Sequence, residues 1–273
     1  DADPMTNFFE RVDNRCAAAN SLLCVGLDTD IQRLPVSLRT RSDGIFAFNK
    51  AIIDATADLV CCYKPQIAYY ASAGAEEQLQ ATIAYLHELD VPVLLDAKRG
   101  DIGSTAGHYA REAFERYAAD AITVNPYMGY DSLAPYLEYR DKGVFILCRT
   151  SNPGGADIQN LLLESGQRLY EHVAEQAATQ WNKYGNMGLV TGATQPAELA
   201  RIREISGDMP FLVPGVGAQG GDVAALMAAG QGGSLIINSS RAVLYASSAE
   251  DFAEAARATA IATRDEINEH RHR

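Results

Sequence analysis

Short apolar runs alternate with longer amphipathic segments along almost the whole chain. The short runs predict strands at residues 22–27, 59–63, 91–95, 121–124, 144–147, 187–190, 211–213 and 235–237. Helical spacing of apolar positions predicts helices at residues 45–57, 75–88, 105–117, 132–142, 160–181, 196–205, 221–229 and 249–268. The strand runs are continuously apolar, as in a parallel sheet that is covered on both faces. The order predicts an α/β protein whose residues 1–273 form a single (β/α)8 TIM barrel.

Polar side chains recur where the predicted strands end. They are Asp28, Lys64, Asp96 with Lys98, Asn125, residues 149–151, Thr191, Pro214 with Gly215, and residues 238–241. Barrel enzymes build their active sites from the carboxyl ends of the strands and the loops that follow. The pattern therefore predicts an enzyme with its site at this end of the barrel.

Ionisable residues are densest after the third predicted strand. Asp96 and Lys98 are two positions apart, so on a strand their side chains should emerge on the same face. Lys64 follows the neighbouring strand, and Asp101 comes three residues after Lys98 along the chain. Two unit charges about 4 Å apart interact by about 4 kcal/mol at an effective dielectric constant near 20. An alternating array of Lys64, Asp96, Lys98 and Asp101 should therefore keep all four side chains ionised at neutral pH.

Such an array suits decarboxylation. A fixed carboxylate disfavours a neighbouring substrate carboxylate, and an adjacent lysine can stabilise and then protonate the resulting carbanion. Charge alone leaves a proton-transfer isomerase and a Schiff-base aldolase open, because lysines at strand ends serve those reactions too.

The loops after the last two predicted strands favour an anionic ligand. Residues 214–222 are rich in glycine and precede a predicted helix, which lets backbone N–H groups approach an anion. Arg241 follows the eighth strand, where its guanidinium can hold a phosphate through two parallel hydrogen bonds. The sequence predicts a phosphate site here.

Composition limits the partners and the compartment. A net charge of −12 argues against nucleic acid, and no apolar run approaches the roughly 20 residues that would indicate a membrane partner. The five cysteines form no Cys-x-x-Cys pair and have no histidine at metal-ligand spacing, so we expect small buried side chains, no metal and a cytoplasmic location. Residues 1–4 precede Met5 and are expected to be a cloning remnant.

The motif Asp96-x-Lys98-x-x-Asp101 resembles the signature of the orotidine 5'-phosphate decarboxylase family, in its longer branch. The resemblance continues, in the family's order, at residues 25–28 (VGLD), 63–66 (YKPQ), 149–154 (RTSNPG) and 213–221 (VPGVGAQGG), and at Arg241. It implies a TIM barrel that converts orotidine 5'-monophosphate (OMP) to UMP and CO2 in pyrimidine biosynthesis. It also implies a homodimer that uses neither a metal nor a cofactor.

The resemblance implies catalytic roles for four residues. Lys98 would protonate C6 of the pyrimidine, and Asp96 would face the substrate carboxylate. Lys64 would complete the charge array and contact the ribose. Asp101 would reach into the site of the partner subunit.

The resemblance also implies a set of substrate-binding residues. They are Asp28 on the ribose hydroxyls, Ile102 and Thr105 lining the partner's site, Ser151 on the pyrimidine edge, and Pro214, Gln219 and Arg241 around the phosphate. Ser240 stands where many members have Gly. Despite this departure, we expect the Arg241 guanidinium to contact the phosphate. The backbone contacts of that loop stay open.

Three other readings remain. A magnesium-dependent sugar-phosphate decarboxylase shares the Asp-x-Lys-x-x-Asp motif, and a Schiff-base aldolase shares lysines at barrel strand ends. A nucleotide-binding protein without catalysis is the third, although it has little reason to keep a costly cluster of charges. The sequence also leaves open whether the barrel is a separate enzyme or one domain of a UMP synthase.

Overall fold

Parallel strands form the centre of the protein in the computed structural model, which describes residues 6–192, 195–215 and 222–271. The strands are β1 Leu23–Leu27, β2 Cys62–Pro65, β3 Leu94–Arg99, β4 Ala121–Val124, β5 Gly143–Arg149, β6 Met187–Thr191, β7 Phe211–Val213 and β8 Leu235–Ser239. They are ordered β2-β1-β8-β7-β6-β5-β4-β3. Parallel bridges from Tyr63 to Val93 and from Gln66 to Asp96 join the two outer strands. The sheet is therefore a nearly closed barrel, and the predicted TIM-barrel fold is confirmed.

Helices surround the barrel and close its base. Within the described ranges they are α1 Phe8–Ala19, α2 Val36–Arg39, α3 Gly44–Thr56, α4 Ile67–Ser72, α5 Glu76–Glu88, α6 Gly103–Arg111, α7 Tyr130–Leu137, α8 Ala156–Gln159, α9 Leu169–Gln176, α10 Pro196–Ser206, α11 Val223–Gly230, α12 Arg241–Leu244 and α13 Phe252–Glu269. Short 3-10 turns lie at Ile31–Arg33, Ala57–Leu59 and Pro153–Gly155, and π-helical turns lie at Glu112–Arg116 and Ala177–Trp181. None of these helices combines the length and the apolar character that a membrane span requires.

Several strands extend further toward the carboxyl end than the apolar pattern predicts. β3 runs to Arg99 rather than ending at residue 95, β5 runs to Arg149, and β8 runs to Ser239. β2 is displaced as a whole, because residues 57–59 form a 3-10 turn and the strand ends at Pro65. The prediction missed these ends because the residues there are polar, although their backbones still pair in the sheet.

Helix α1 was not predicted, and it packs against the amino-terminal end of the barrel. Asn7 and Glu10 form a capping box in which each side chain accepts the other residue's backbone N–H, both at 3.0 Å. Phe8 and Phe9 then contact Phe145 of β5 edge to face, with ring centroids 6.0 and 5.4 Å away. This aromatic cluster closes the base of the barrel.

The predicted helix at residues 160–181 is wrong in its first half. The chain turns at Gly166, whose φ of 85° lies outside the helical region, and Leu162 pairs with Arg168 in an antiparallel bridge. Helix α9 starts only at Leu169, where the Glu171 carboxylate accepts the Arg168 N–H at 2.7 Å. The loop between β5 and α9 is consequently long, and it borders the carboxyl end of the barrel.

Candidate active site

Three of the predicted catalytic side chains meet at the carboxyl ends of β2 and β3. Lys64 Nζ lies 2.8 Å from Asp96 Oδ2, and Lys98 Nζ lies 2.7 Å from Asp96 Oδ1. The side chains of Lys64 and Asp96 are only 5% and 9% exposed, whereas that of Lys98 is 45% exposed. One carboxylate is therefore held between a buried amine and an amine that reaches the open end of the barrel.

Mutual attraction keeps this cluster charged despite its burial. Burial alone would lower the pKa of Lys64, but the negative charges of Asp96 and Asp28 outweigh it and raise that pKa above its usual range. Burial alone would raise the pKa of Asp96, but the ammonium groups of Lys64 and Lys98 outweigh it and lower that pKa. Asp96 is therefore a carboxylate, and Lys64 an ammonium, across the neutral pH range.

Lys98 reaches Asp96 by a route that strand alternation does not describe. Its φ of 46° lies in the left-handed region, which is uncommon for a residue other than glycine. The pairing between β3 and β4 is also irregular between Leu95 and Arg99. The prediction that Asp96 and Lys98 come together is correct, but a bulge rather than an extended strand brings them together.

Asp101 lies apart from this cluster. Its carboxylate accepts the backbone N–H of Ile102 at 2.8 Å, and the structure shows no contact between Asp101 and either lysine of the same chain. Ile102 is 54% exposed, and Thr105 is exposed on the first turns of α6. The predicted array of four charges thus contains three within one chain, while the fourth lies at an exposed edge of the barrel mouth.

Asp28 and Ser151 lie at the carboxyl ends of β1 and β5. Asp28 follows β1, and its Oδ1 is buried without a hydrogen-bond partner among the described residues. Ser151 follows β5 and is half-buried against Gly192, where a Cβ would lie 2.9 Å from the Ser151 nitrogen. Asp28 therefore keeps acceptor capacity for a ligand hydroxyl.

The described part of the predicted phosphate site contains Pro214 and Arg241. Pro214 follows β7, and Arg241 begins α12 as an exposed side chain without a hydrogen bond or ion pair to the rest of the described chain. Gln219, the third predicted phosphate contact, lies outside the described residues. With respect to the described residues this guanidinium is uncommitted, and it can bind an anion.

Ser240, next to the predicted phosphate site, packs closely against β1. Its Oγ lies 3.0 Å from Nδ2 of Asn238, and a Cβ at Gly26 would collide with the same oxygen. Glycine at position 26 therefore leaves the space that the Ser240 hydroxyl occupies.

Sequence reasoning overlooked one residue of the cluster. Thr123 of β4 is 1% exposed and donates its hydroxyl to Asp96 Oδ1 at 2.8 Å. It is the polar member of a four-residue buried strand, and nothing in the sequence marks it as part of the site. Among the described residues, no group of His, Cys, Asp and Glu side chains is arranged to hold a metal ion.

Comparison with known proteins agrees with this geometry. A family model described as "Orotidine 5'-phosphate decarboxylase / HUMPS family" matches residues 21–258. The orotidine 5'-phosphate decarboxylase of Ralstonia nicotianae is 63% identical over 257 residues, which are 92% of this chain and 94% of the relative. The solved structure of Leishmania donovani OMP decarboxylase is 41% identical with a TM-score of 0.84, covering 97% of this chain and 99% of that chain. The Leishmania donovani UMP synthase is 42% identical with a TM-score of 0.86, and the match covers 97% of this chain but 57% of that one.

Proposed function

The chain belongs to the orotidine 5'-phosphate decarboxylase / HUMPS family, and from this premise we propose that it converts OMP to UMP and CO2, with Lys98 as the proton donor. The observation that carries the proposal is the buried network of Lys64, Asp96 and Lys98 at the barrel mouth. The network supplies a fixed negative charge and a mobile proton within one hydrogen bond of each other.

The charges of the network account for the reaction in the following way. With the pyrimidine over the mouth, the substrate carboxylate faces the ionised Asp96, and the two negative charges repel each other. The bond between C6 and the carboxylate breaks, CO2 leaves, and the electron pair stays on C6. The Lys98 ammonium stabilises that pair and then donates a proton to C6, which gives UMP and a neutral amine that regains a proton from solvent.

Exposure distinguishes the roles of the two lysines. The Lys98 side chain is 45% exposed and can meet both the substrate and the solvent, whereas the Lys64 side chain is 5% exposed. Lys64 therefore serves to hold Asp96 ionised and to contact the ribose together with Asp28. In this proposal Ser151 reads the pyrimidine edge, and Pro214, Gln219 and Arg241 surround the phosphate.

We further propose a homodimer in which Asp101 enters the partner's site together with Ile102 and Thr105. Support comes from the separation of Asp101 from the lysines of its own chain and from the 54% exposure of Ile102 beside it. Ile102 directly follows Asp101 at the rim, so a second copy that received Asp101 would also cover Ile102. A cytoplasmic location is part of the proposal, supported by five free, buried cysteines.

Loss of the orotate absorbance on mixing the protein with OMP tests the reaction directly. We expect turnover that persists after treatment with EDTA, because the proposed chemistry needs only charges that the chain itself supplies. Turnover that EDTA abolishes and magnesium restores would indicate the metal-dependent alternative. Inactivation by borohydride in the presence of a carbonyl substrate would instead indicate a Schiff base on a lysine.

A further inference from the structure

We propose that Thr123 is a positioning residue, whose hydroxyl fixes the place of the Lys98 amine against Asp96. The inference rests on the proposed function, because it assigns Thr123 a part in that reaction. Thr123 does not face the ligand itself, and its effect passes through the two residues it holds.

The irregular pairing of β3 with β4 is centred on Thr123. Leu95 pairs with Ile122, and the next pair joins Arg99 to Val124. Three residues of β3, from Asp96 to Lys98, therefore stand opposite Thr123 alone. In a regular parallel ladder alternate residues of β3 would donate their N–H groups to carbonyl groups of β4, and where a bulge interrupts the ladder those N–H groups need another acceptor.

The hydroxyl of Thr123 supplies that acceptor and is fully used. Its Oγ1 accepts the backbone N–H groups of Ala97 and Lys98, both at 3.0 Å. Its proton goes to Asp96 Oδ1 at 2.8 Å, because an ionised carboxylate can only accept. A hydroxyl has one proton and two lone pairs, so a single side chain satisfies both strained amides and one oxygen of the catalytic carboxylate.

These bonds determine where the Lys98 amine lies. Lys98 has a φ of 46°, a left-handed conformation that the clash of its Cβ with the backbone disfavours. The hydrogen bond from its N–H to Thr123 holds the backbone in that conformation, and Lys98 Nζ then reaches the same Oδ1 atom that Thr123 contacts. Without the hydroxyl, the bulge loses its acceptor and Oδ1 loses a donor, so the Lys98 backbone and the Asp96 carboxylate are each held by fewer hydrogen bonds.

The kinetic consequence separates positioning from substrate binding. Among the described residues, those proposed to hold the ribose and phosphate lie at the ends of other strands, and the Thr123 hydroxyl bonds only Ala97, Lys98 and Asp96. Removal of the hydroxyl should therefore lower kcat while KM and the affinity for UMP stay within about threefold of wild type. A hydrogen bond to a charged group corresponds to a loss of about 10- to 100-fold, which we expect in kcat.

The test compares Thr123→Val, which keeps the shape and removes the hydroxyl, with Thr123→Ser, which keeps the hydroxyl. Thr123→Ser should retain kcat within about threefold of wild type. The matched control is Thr56→Val in α3, because Thr56 is also fully buried and its hydroxyl bonds Ile52 O and Tyr63 Oη rather than Asp96 or Lys98. The control should lower the unfolding temperature without lowering kcat. If Thr123→Val does not fold, Thr123→Ala carries the same expectation.

The two proposals can fail separately. If wild-type protein does not consume OMP, the proposed function fails, and a crystal structure of Thr123→Val then decides the positioning claim. That claim predicts that Lys98 Nζ leaves hydrogen-bond distance of Asp96 Oδ1 in the variant. An unmoved amine overturns it, and so does a kcat within about threefold of wild type in an active enzyme.

Discussion

Two buried aspartates stand at opposite ends of the barrel, each with three donors. Asp96 at the mouth accepts from Lys64, Lys98 and Thr123. Asp120 at the base accepts from Arg11 at 2.7 Å, from the Val93 N–H at 2.8 Å and from His87 Nε2 at 3.2 Å. In both cases burial alone would raise the pKa of the carboxyl and the donors outweigh it, so that the pKa is lowered.

The two aspartates differ in what their donors connect. Arg11 belongs to α1 and His87 to α5, so Asp120 joins two helices to the start of β4. The donors of Asp96 all come from strand ends, and one of them, Lys98, extends into the open mouth. A depressed carboxyl pKa therefore does not by itself distinguish the proposed catalytic aspartate from the one at the base; the two differ in where their donors lie.

The largest expected effect is at the mouth. Lys98→Ala removes the proposed proton donor, and we expect the turnover of OMP to fall by at least about 1000-fold. UMP binding should largely persist, because the ribose and phosphate contacts remain. Lys50→Ala is a matched control, since Lys50 pairs with Asp54 on the exposed face of α3 and should leave turnover unchanged. Normal turnover by Lys98→Ala would show that the charged cluster at the mouth, like the one at the base, does not take part in the reaction.

A second prediction tests whether the site at the mouth needs a residue from a second copy of the chain. Asp96→Ala and Asp101→Ala should each be inactive as pure proteins. In an equal mixture that exchanges subunits, half the dimers are mixed and each mixed dimer has one intact site, so about a quarter of wild-type activity should return. Two copies of one variant, mixed in the same way, are the control. An inactive mixture, with exchange demonstrated by differently tagged subunits, contradicts a shared Asp101.

The sequence predicted the barrel well because apolar strands and amphipathic helices alternate throughout. The prediction is wrong where helix capping, turn formation or backbone pairing, rather than hydrophobicity, determines the structure. Helix α1 was missed although Asn7 and Glu10 carry a capping-box pattern, and residues 160–168 were read as helix although Gly166 requires a turn. The strand ends were drawn too short because hydrophobicity stops where the site begins, while the backbone pairing continues to Arg99 and Ser239.

The charged residues of the site were predictable, and their supporting geometry was not. Lys64, Asp96 and Lys98 stand out because ionisable residues are rare beside buried strands. Thr123 does not stand out, because a threonine in a strand is ordinary, and only the bulge reveals that three residues share it. The left-handed Lys98 is equally invisible in the sequence, since it depends on hydrogen bonds from another strand.

At the base of the barrel we expect the smallest effect on catalysis and a large effect on stability. Asp120→Asn keeps the size of the side chain and removes its charge, which should lower the free energy of unfolding by about 2–3 kcal/mol at pH 7. Turnover per folded molecule should not change. Asp90→Asn is the matched control, because Asp90 lies 3.6 Å from the same Arg11 but its side chain is 95% exposed. Urea unfolding of all three proteins at one protein concentration measures the difference.

The pH dependence of that difference identifies its cause. His87 and Arg11 hold the pKa of folded Asp120 below the ordinary value of 3.8, so the folded state binds this proton less readily than the unfolded state. The resulting stability is fully present above about pH 5 and is lost as the pH falls through the folded pKa. The gap between wild type and Asp120→Asn should therefore narrow in acid. A gap that stays constant down to about pH 3 would show that packing, rather than the charge of Asp120, holds α1 and α5 at the base.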